Sequence, residues 1–599
     1  MSPYAYARTG RVPAGQELLL RVLDALLRED VAGLRSRSVP VEREDGRWLR
    51  LPTSADGDAL LLPVREDGFQ CAYAARAPFL VARQGAEELR LTSYGVVLAA
   101  LRALADPADR PGFDAFAEEC REDLAARRLH ARTRNEVAAR LRERYGADPA
   151  RWTGPAGGLA LDTLAARHDH PVYPTGRGRA GLGEAELRAY APEFHPRFAL
   201  RWLAVPREAL TVAGGTEALP EFWPAPGVLG LPELAASHLA LPVHPLTVGA
   251  PLREALRATG LQDRAVLAGR PYLEVVPTLS MRTVAVADAP GLHLKLPLAT
   301  ATLGLRNRRT IKPGTLADGA VCQRLLEAVT AREPRFRNTV LHADETVYAH
   351  AGHELLAVLC RRLPPGLDGA VVTPLAALLS EAPDGGPVIG HLADRFHGGE
   401  PVALLDAFLT PLLDWQTTLL GHGIALESHQ QNVSLVLDRE GASRGTRLRL
   451  LFKDDDGPRL NAARVRASLG DAAPDPAAFA DARILAEDDG PVLDLFTTIT
   501  LHLCAVAPAF ALARHGRAPL PELLGLIRAR LGEAADRLGT GPGEPGALLR
   551  SRVLDAPELP VKAMVTAGTL LTKERSGAAD VNKHYTTGPN YLRWSRRCP

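Results

Sequence analysis

The chain has 599 residues, 46% apolar and 24% charged, with 71 Lys and Arg against 70 Asp and Glu. That length exceeds what one hydrophobic core usually serves, so two or three lobes in one body are expected. A formal net charge of +1 gives no electrostatic basis for nucleic acid or an anionic membrane as the main partner. In chain order, the start MSPYAYARTGRVPAG lacks the apolar core of a signal peptide and reads as cytoplasmic. From about residue 15 to 150 the pattern is mainly helical: QELLLRVLDALLRED, SYGVVLAALRALAD and FAEECREDLAARRLHARTRNEVAARLRERYG carry helical periodicity. Two strands, RWLRLP and ALLLPVRE, interrupt it between residues 47 and 66. This first lobe, to about residue 155, reads as a scaffold or lid.

The Gly- and Pro-rich joint RWTGPAGG, residues 151 to 158, marks a change of character. From about 170 to 380, FALRWLAVP, YLEVVPTLSMRTVAVA, LHLKLPLATATLG and ELLAVLCRRL alternate with turns, which predicts a largely antiparallel sheet with helices around it. From about 385 long helical runs return around a hairpin, VSLVLD paired with RLRLLF across DREGASRGT. The stretch VLDLFTTITLHLCAVAPAFALA, residues 492 to 513, is long enough to span a bilayer, but Asp494, His502 and Pro508 point to a buried helix and no membrane. Cysteines 71, 120, 322, 360, 504 and 598 lie far apart without CxxC spacing and read as reduced structural thiols.

Several polar clusters interrupt these elements. HPVYPTGRGRAG, residues 170 to 181, places His170, Arg177 and Arg179 in a Gly-rich loop, where guanidinium groups suit phosphate oxygens; a solvated basic loop is the plain alternative. PVHP, 242 to 245, reads as a structural turn. In PTLSMRTV, HLKLPL and TATLGLRNRR, Ser280 and Arg282 share one parity, as do His293 and Lys295. On paired strands each would offer donors to one face and form a polyphosphate clamp, although a basic solvent face has the same pattern. Neither GxxxxGK[ST] nor GxGxxG between a strand and a helix is present. In ALESHQQN, Glu427, His429 and Gln431 alternate, so an extended chain would turn all three one way unless the segment is only a polar turn. The hairpin would bring Glu427 near Asp454 and Asp456 of KDDDG, oxygen ligands suited to Mg²⁺ together with substrate phosphates. Lys562 stands alone in the apolar LPVKAMV, where a lysine often snorkels harmlessly.

Taken in order, HPVYPTGRGRAG, PVHPLT, SMRT, KLPL with TLGLR, ESHQQN, KDDDG and VKAM, with YAPEF at 190 to 194, resemble the NRPS-independent siderophore synthetases of the IucA/IucC type. The resemblance runs from about 170 to 590 and leaves the first lobe without motifs. Tyr173 stands where that family has a second histidine, Arg177 where it has lysine, Leu246 and Thr247 where it has tryptophan and glutamine, and Lys453 where it has arginine.

The resemblance implies an α+β, three-lobed cupped hand: a helical thumb over 1–155, β-rich fingers over 156–384 and a helical palm over 385–599. It implies ATP and Mg²⁺ as cofactors, a carboxylate such as citrate or a citrate derivative, and a polyamine, amino acid or amino alcohol as nucleophile, in a homodimer. The carboxylate would attack the α-phosphate to give an acyl-adenylate and pyrophosphate, and the nucleophile would then take the acyl group. It assigns His170, Arg177, Ser280, Arg282, Thr283, Lys295, Gln431 and Asn432 to the nucleotide and its junction with the acid. It assigns Arg306, His429, Lys562 and Arg361 to the substrate carboxylates, and Glu427, Asp454 and Asp456 to Mg²⁺. A kinase-like phosphotransferase would also use Lys295 and Asp454, and a non-catalytic binder of carboxylate or ferric siderophore would need the pocket without the phosphate clamp.

Overall fold

The computed structural model describes residues 12–54, 57–440, 445–577 and 584–596. The start read for a leader, the hairpin tip at 441–444 and Cys598 lie outside them. In the first helix, Ala14–Arg28, the buried Leu18, Leu19, Val22, Leu23 and Leu26 fall on the spacing of one helical face. The long helix Arg110–Tyr145 follows Tyr94–Leu104. Between the first helix and this pair, both expected strands form, as Gly46–Pro52 and Ala59–Glu66, and four further strands join them. Six strands form an antiparallel sheet in the order Val39–Arg43, Gly46–Pro52, Ala59–Glu66, Leu80–Gln84, Glu87–Leu91, with Tyr73–Ala75 also on Ala59–Glu66. The two edge strands, VPVER and EELRL, are largely exposed and charged, as edges that avoid pairing with another chain must be.

The central sheet is antiparallel throughout, as expected. Among the described residues nine strands take part, including Phe198–Pro206, Tyr272–Pro277, Thr283–Val286, Ala289–Lys295 and Ala357–Arg362 as successive neighbours. It has its own core, with Trp202, Leu203, Val275, Val284, Leu294 and Val358 buried together. The hairpin also forms, Val433–Glu440 against Gly445–Phe452, with Val433 opposite Phe452 and Glu440 opposite Gly445. It belongs to a four-stranded sheet in which Val340–His342 runs parallel to Gly445–Phe452. Helices Val388–Phe396 and Pro401–Gly421 pack beside it, and Leu520–Arg537 packs on Pro401–Gly421.

A single apolar core joins the ends of the chain: Leu18 and Phe116 of the first helices share it with Phe408, Leu531 and Tyr591. Hence the N-terminal helices pack directly on the C-terminal part. The apolar run at Gly490–Arg514 has the length and composition of a membrane span, but 94% of its apolar window is buried inside the fold. His502 explains one of its polar interruptions, since Nδ1 lies 2.6 Å from the Tyr591 hydroxyl and Nε2 lies 2.8 Å from the Pro560 carbonyl. The five described cysteines are free and buried.

Candidate active site

A cleft of about 1600 Å³, counted to its open mouth, collects residues from 165 to 564. One wall is the loop carrying His168, Asp169, His170 and Arg179; a second is Leu279, Ser280 and Arg282; a third is the irregular segment with Thr302, Asn307 and Arg309. Glu427, His429, Gln431, Asn432, Asp454, Asp456 and Lys562 complete it, beside apolar Ile499, Leu503 and Met564. Polar groups converging inside a concave, partly apolar cleft are the usual form of a small-molecule site.

Lys295 ends the strand Ala289–Lys295, opposite Thr283 and Leu359 in register, and is 2% exposed. Its Nζ donates to Asp454 and, at 2.9 Å, to Asp456 Oδ2. Arg361 Nη2 donates to Asp454 Oδ1 at 3.1 Å while its Nε donates to the buried Glu345. Burial alone would raise the Asp454 carboxyl, but Lys295, then Arg361 and Arg282, outweigh it and hold it well below the ordinary carboxylate range. Asp454 has φ +67°, and its backbone N–H donates to Glu345 Oε1 at 2.9 Å, which fixes the turn out of the hairpin.

The segment 426–432 is not the extended strand its alternation suggested; the strand starts at Val433. Asn432 N–H donates to the His429 carbonyl at 2.8 Å, and Asn432 Nδ2 to the Glu427 carbonyl at 3.3 Å, so the polar residues form a turn that faces the cleft. A π-helical stretch, Phe496–Val506, supports it from behind. Gln430 Nε2 donates to the Leu503 carbonyl at 2.5 Å and Cys504 Sγ to the Ser428 carbonyl at 3.2 Å. Such wide turns recur at functional sites, because they alter which groups the helix presents.

Several expected site residues are placed differently. Ser280 and Arg282 sit in the turn between Tyr272–Pro277 and Thr283–Val286, with Met281 at φ +63°, so strand parity does not place them although both line the cleft. Thr283 is buried behind Ser280, its Oγ1 3.5 Å from the Ser280 hydroxyl. Arg177 does not line the cleft, its Nε donating to Asp169 Oδ1 at 2.9 Å; Arg179 takes the cleft wall, its Nη2 donating to Glu193 Oε1 at 2.8 Å. Arg306 likewise does not line the cleft, whereas Arg309 does. Burial, with Arg282 and Arg179 nearby, pulls the Arg309 guanidinium down to about 9. Arg361 stands behind Asp454 and His293 is buried against the Pro290 carbonyl at 3.1 Å, both outside the cleft lining.

Among the described residues no group of three or more His, Cys, Asp or Glu side chains is arranged to hold a metal. Asp454 and Asp456 share Lys295, and Glu427 Oε1 lies 3.4 Å from Lys562 Nζ. The donor chemistry nonetheless fits a hard cation that takes one or two carboxylates and completes its shell with phosphate oxygens and water.

His170 and His429, two of the three histidines on the cleft wall, are neutral. Burial pulls His170 down to about 3 and His429 down to about 4, with the other cations nearby acting in the same direction. His170 Nδ1 accepts from Tyr173 N–H at 2.9 Å and His429 Nδ1 from Gln431 N–H at 3.3 Å, which leaves each ring proton on Nε2. Because the folded pKa lies below the unfolded value of about 6.5, these rings contribute stability above that pH and lose it as pH falls toward about 4. Ring NMR of ¹⁵N-His protein, with His429→Ala to assign the signal, is expected to show a His429 midpoint below pH 5. A midpoint near 6.5 would contradict the buried, neutral ring.

Comparison with known proteins gives two matched stretches. Residues 159–380 match the IucA / IucC family, and residues 403–577 match a family described as ferric iron reductase FhuF-like transporter. The rhizobactin siderophore biosynthesis protein RhbC of Rhizobium meliloti is 28% identical over 71% of this chain and 73% of its own length. The aerobactin synthase of Escherichia coli is 27% identical over 48% of this chain and 53% of its own. The chain thus spans about half the length of that relative, as it does of y4xN from Sinorhizobium fredii, at 51%. In fold it is similar to the ATP-bound aerobactin synthetase IucA of Klebsiella pneumoniae, with a TM-score of 0.69, 20% identity and 96% and 99% of the two chains covered.

Proposed function

We propose that the chain, whose residues 159–380 match the IucA / IucC family, is an ATP-dependent synthetase joining a carboxylate, citrate or a citrate derivative, to an amine or hydroxyl in siderophore biosynthesis. The observation that carries this reading is the convergence of Ser280, Arg282, Arg309, His170, His429 and Lys562 on one cleft with Asp454 and Asp456 at its wall. The ATP bound to the related synthetase agrees with it. So do relatives named for aerobactin and for ligation of diaminopropanoate to citrate. The lobes are proposed as thumb, fingers and palm with boundaries near residues 155 and 384.

A carboxylate that attacks a triphosphate meets like charge, so fixed cations must offset it and align the groups. Lys295 and Arg282, with Ser280, serve the phosphates in this reading, and Arg309 and Lys562 the acid. Several cations in one cleft suit a polycarboxylate better than a monocarboxylate. Asp454 and Asp456 would hold Mg²⁺, which neutralises phosphate charge when bound. The acid oxygen bonds to the α-phosphorus as the α–β bond breaks and pyrophosphate leaves. The nucleophile's nitrogen or oxygen then bonds to the acyl carbon, AMP departs, and the nucleophile gives up its proton. His170 and His429, donors through Nε2 without a full charge, can bind the phosphate or the developing oxyanion without creating a tight ion pair that would have to be broken.

Incubation with ATP, Mg²⁺ and a panel of di- and tricarboxylates is expected to release pyrophosphate with one of them, and hydroxylamine to trap its hydroxamate. ADP and phosphate as the sole nucleotide products would establish the phosphotransferase instead. Acid binding with no nucleotide turnover under any of these conditions would establish the binding protein.

A further inference from the structure

Three cleft-forming segments meet at one buried carboxylate on the N-terminal part of the chain. Glu119, on the helix Arg110–Tyr145, is 6% exposed. Its Oε1 accepts from the Tyr173 hydroxyl at 2.8 Å and from the Thr175 hydroxyl, both in the loop that carries His170 and Arg179. Its Oε2 accepts from the Thr569 hydroxyl at 2.8 Å, seven residues after Lys562. Thr569 in turn accepts from Leu305 N–H at 3.2 Å, and Arg306 N–H donates to the Gly568 carbonyl at 3.1 Å, which reaches the segment carrying Thr302, Asn307 and Arg309.

The backbones pack closely around this carboxylate. A Cβ at Gly304, where φ is +113°, would come within 2.9 Å of Gly568 Cα, and one at Gly112 within 1.9 Å of the Leu570 carbonyl. Glu29, at the end of the first helix, adds a second attachment by accepting from Thr566 N–H at 2.8 Å and Val565 N–H at 3.1 Å.

We propose that Glu119 is a positioning residue, which holds the His170 loop, the 302–309 segment and the segment after Lys562 in one mutual arrangement, with Tyr173 as its dedicated partner. This gives a role to Tyr173 and to the N-terminal helix that carries Glu119. A tyrosine hydroxyl extends farther from the backbone than an imidazole nitrogen, and here it donates to a carboxylate on a different lobe. The inference rests on the cleft being the reaction site only for its kinetic consequences, since the geometry is independent of what the cleft binds.

Hydrogen exchange on the full chain tests it. Glu119→Ala removes an acceptor shared by three buried hydroxyls, and losing charge-assisted hydrogen bonds of this kind typically changes an opening equilibrium by about tenfold or more. Exchange is expected to rise together in 170–180, 300–310 and 563–572 while the strand Ala289–Lys295 keeps its protection. Glu119→Gln, which retains an acceptor for Tyr173 and Thr175, is expected to restore most of it. Tyr173→Phe, a single-hydroxyl deletion that spares folding, is expected to loosen 170–180 and, less strongly, the other two segments. In the same variants the KM for ATP and for the acid should rise together, by about fivefold in Tyr173→Phe.

Exchange that rises in one segment alone, or uniformly along the chain, overturns the proposal, as does a Tyr173→Phe protein indistinguishable from wild type. Coupled loosening in a protein whose wild type releases no pyrophosphate would support the positioning role and defeat the synthetase reading.

Discussion

Lys295→Ala is expected to lower ATP-dependent pyrophosphate release by two to three orders of magnitude, roughly 3–4 kcal/mol at about 1.4 kcal/mol per factor of ten. Two effects act in the same direction. The substitution removes a buried cation from the proposed phosphate site, and charge-assisted contacts of this sort contribute about 1.5–3 kcal/mol each. It also uncovers Asp454 and Asp456, which now meet in Lys295, so two carboxylates would face an incoming polyanion. Removing one partner of a buried ion pair costs about 3–5 kcal/mol of stability, and the thermal midpoint should therefore fall as well.

The sign of the pH dependence follows from Asp454, whose pKa is held low in the folded protein, first of all by Lys295 among its attractive partners. That contribution is present above the unfolded carboxylate value of about 3.9 and is lost as pH falls through the folded one. The stability difference between wild type and Lys295→Ala should accordingly narrow below pH 4. Lys295→Met, which keeps the apolar stem, separates charge from packing: equal activity losses in both variants assign the effect to charge. An ATP dependence unchanged in either variant would remove Lys295 from the phosphate site.

What the sequence made legible followed regular periodicity. The hairpin Val433–Glu440 with Gly445–Phe452 was visible because alternating apolar residues and a Gly-containing turn determine it locally, and the register confirms it. The buried apolar helix was visible because its polar interruptions were incompatible with lipid. Where the chain leaves regular structure, parity arguments lose their basis. Ser280 and Arg282 were assigned to one strand face, yet they lie in a turn whose Met281 adopts a left-handed backbone.

In the basic runs GRGRAG and LRNRR, neighbouring arginines are chemically equivalent, and only the tertiary path decides which one lines the cleft. Arg177 and Arg306 were chosen, while Arg179 and Arg309 are the residues at its wall. Four of the six N-terminal strands escaped because VPVER, YAA, LVARQ and EELRL are short and weakly apolar, so pairing rather than local preference makes them strands. Glu119 was hidden for a different reason. A glutamate in a charged helical run reads as a solvated face, and nothing local marks the one position at which three distant hydroxyls arrive.

Asp454→Asn distinguishes two roles that the geometry allows for the same carboxylate. Asparagine tolerates the left-handed region better than most residues, so φ +67° is retained with little strain. The backbone bond to Glu345 is also unaffected by the change. Lys295 keeps Asp456 and Arg361 keeps Glu345, so neither cation is left without an anion. The substitution therefore removes one charge from an otherwise preserved site. If Asp454 only neutralises Lys295 and Arg361, its loss should tighten ATP binding and leave turnover close to wild type. If it also holds Mg²⁺ against the phosphates, ATP should still bind, with a Kd equal to or below that of wild type in the absence of metal, while kcat falls about 10²- to 10³-fold, a loss of the size seen when a group that stabilises developing charge is deleted. The second outcome is expected, because Asp454 lines the cleft beside Asp456 and Glu427 and carries oxygen donors suited to a hard cation. Asp455→Asn is the control: Asp455 faces His342 Nδ1 at 3.4 Å, outside the cleft lining, and its variant should stay within about twofold of wild type. Calorimetric ATP binding with and without Mg²⁺, set beside pyrophosphate release, reads both quantities. Tighter ATP binding with full turnover would reduce Asp454 to a counter-ion.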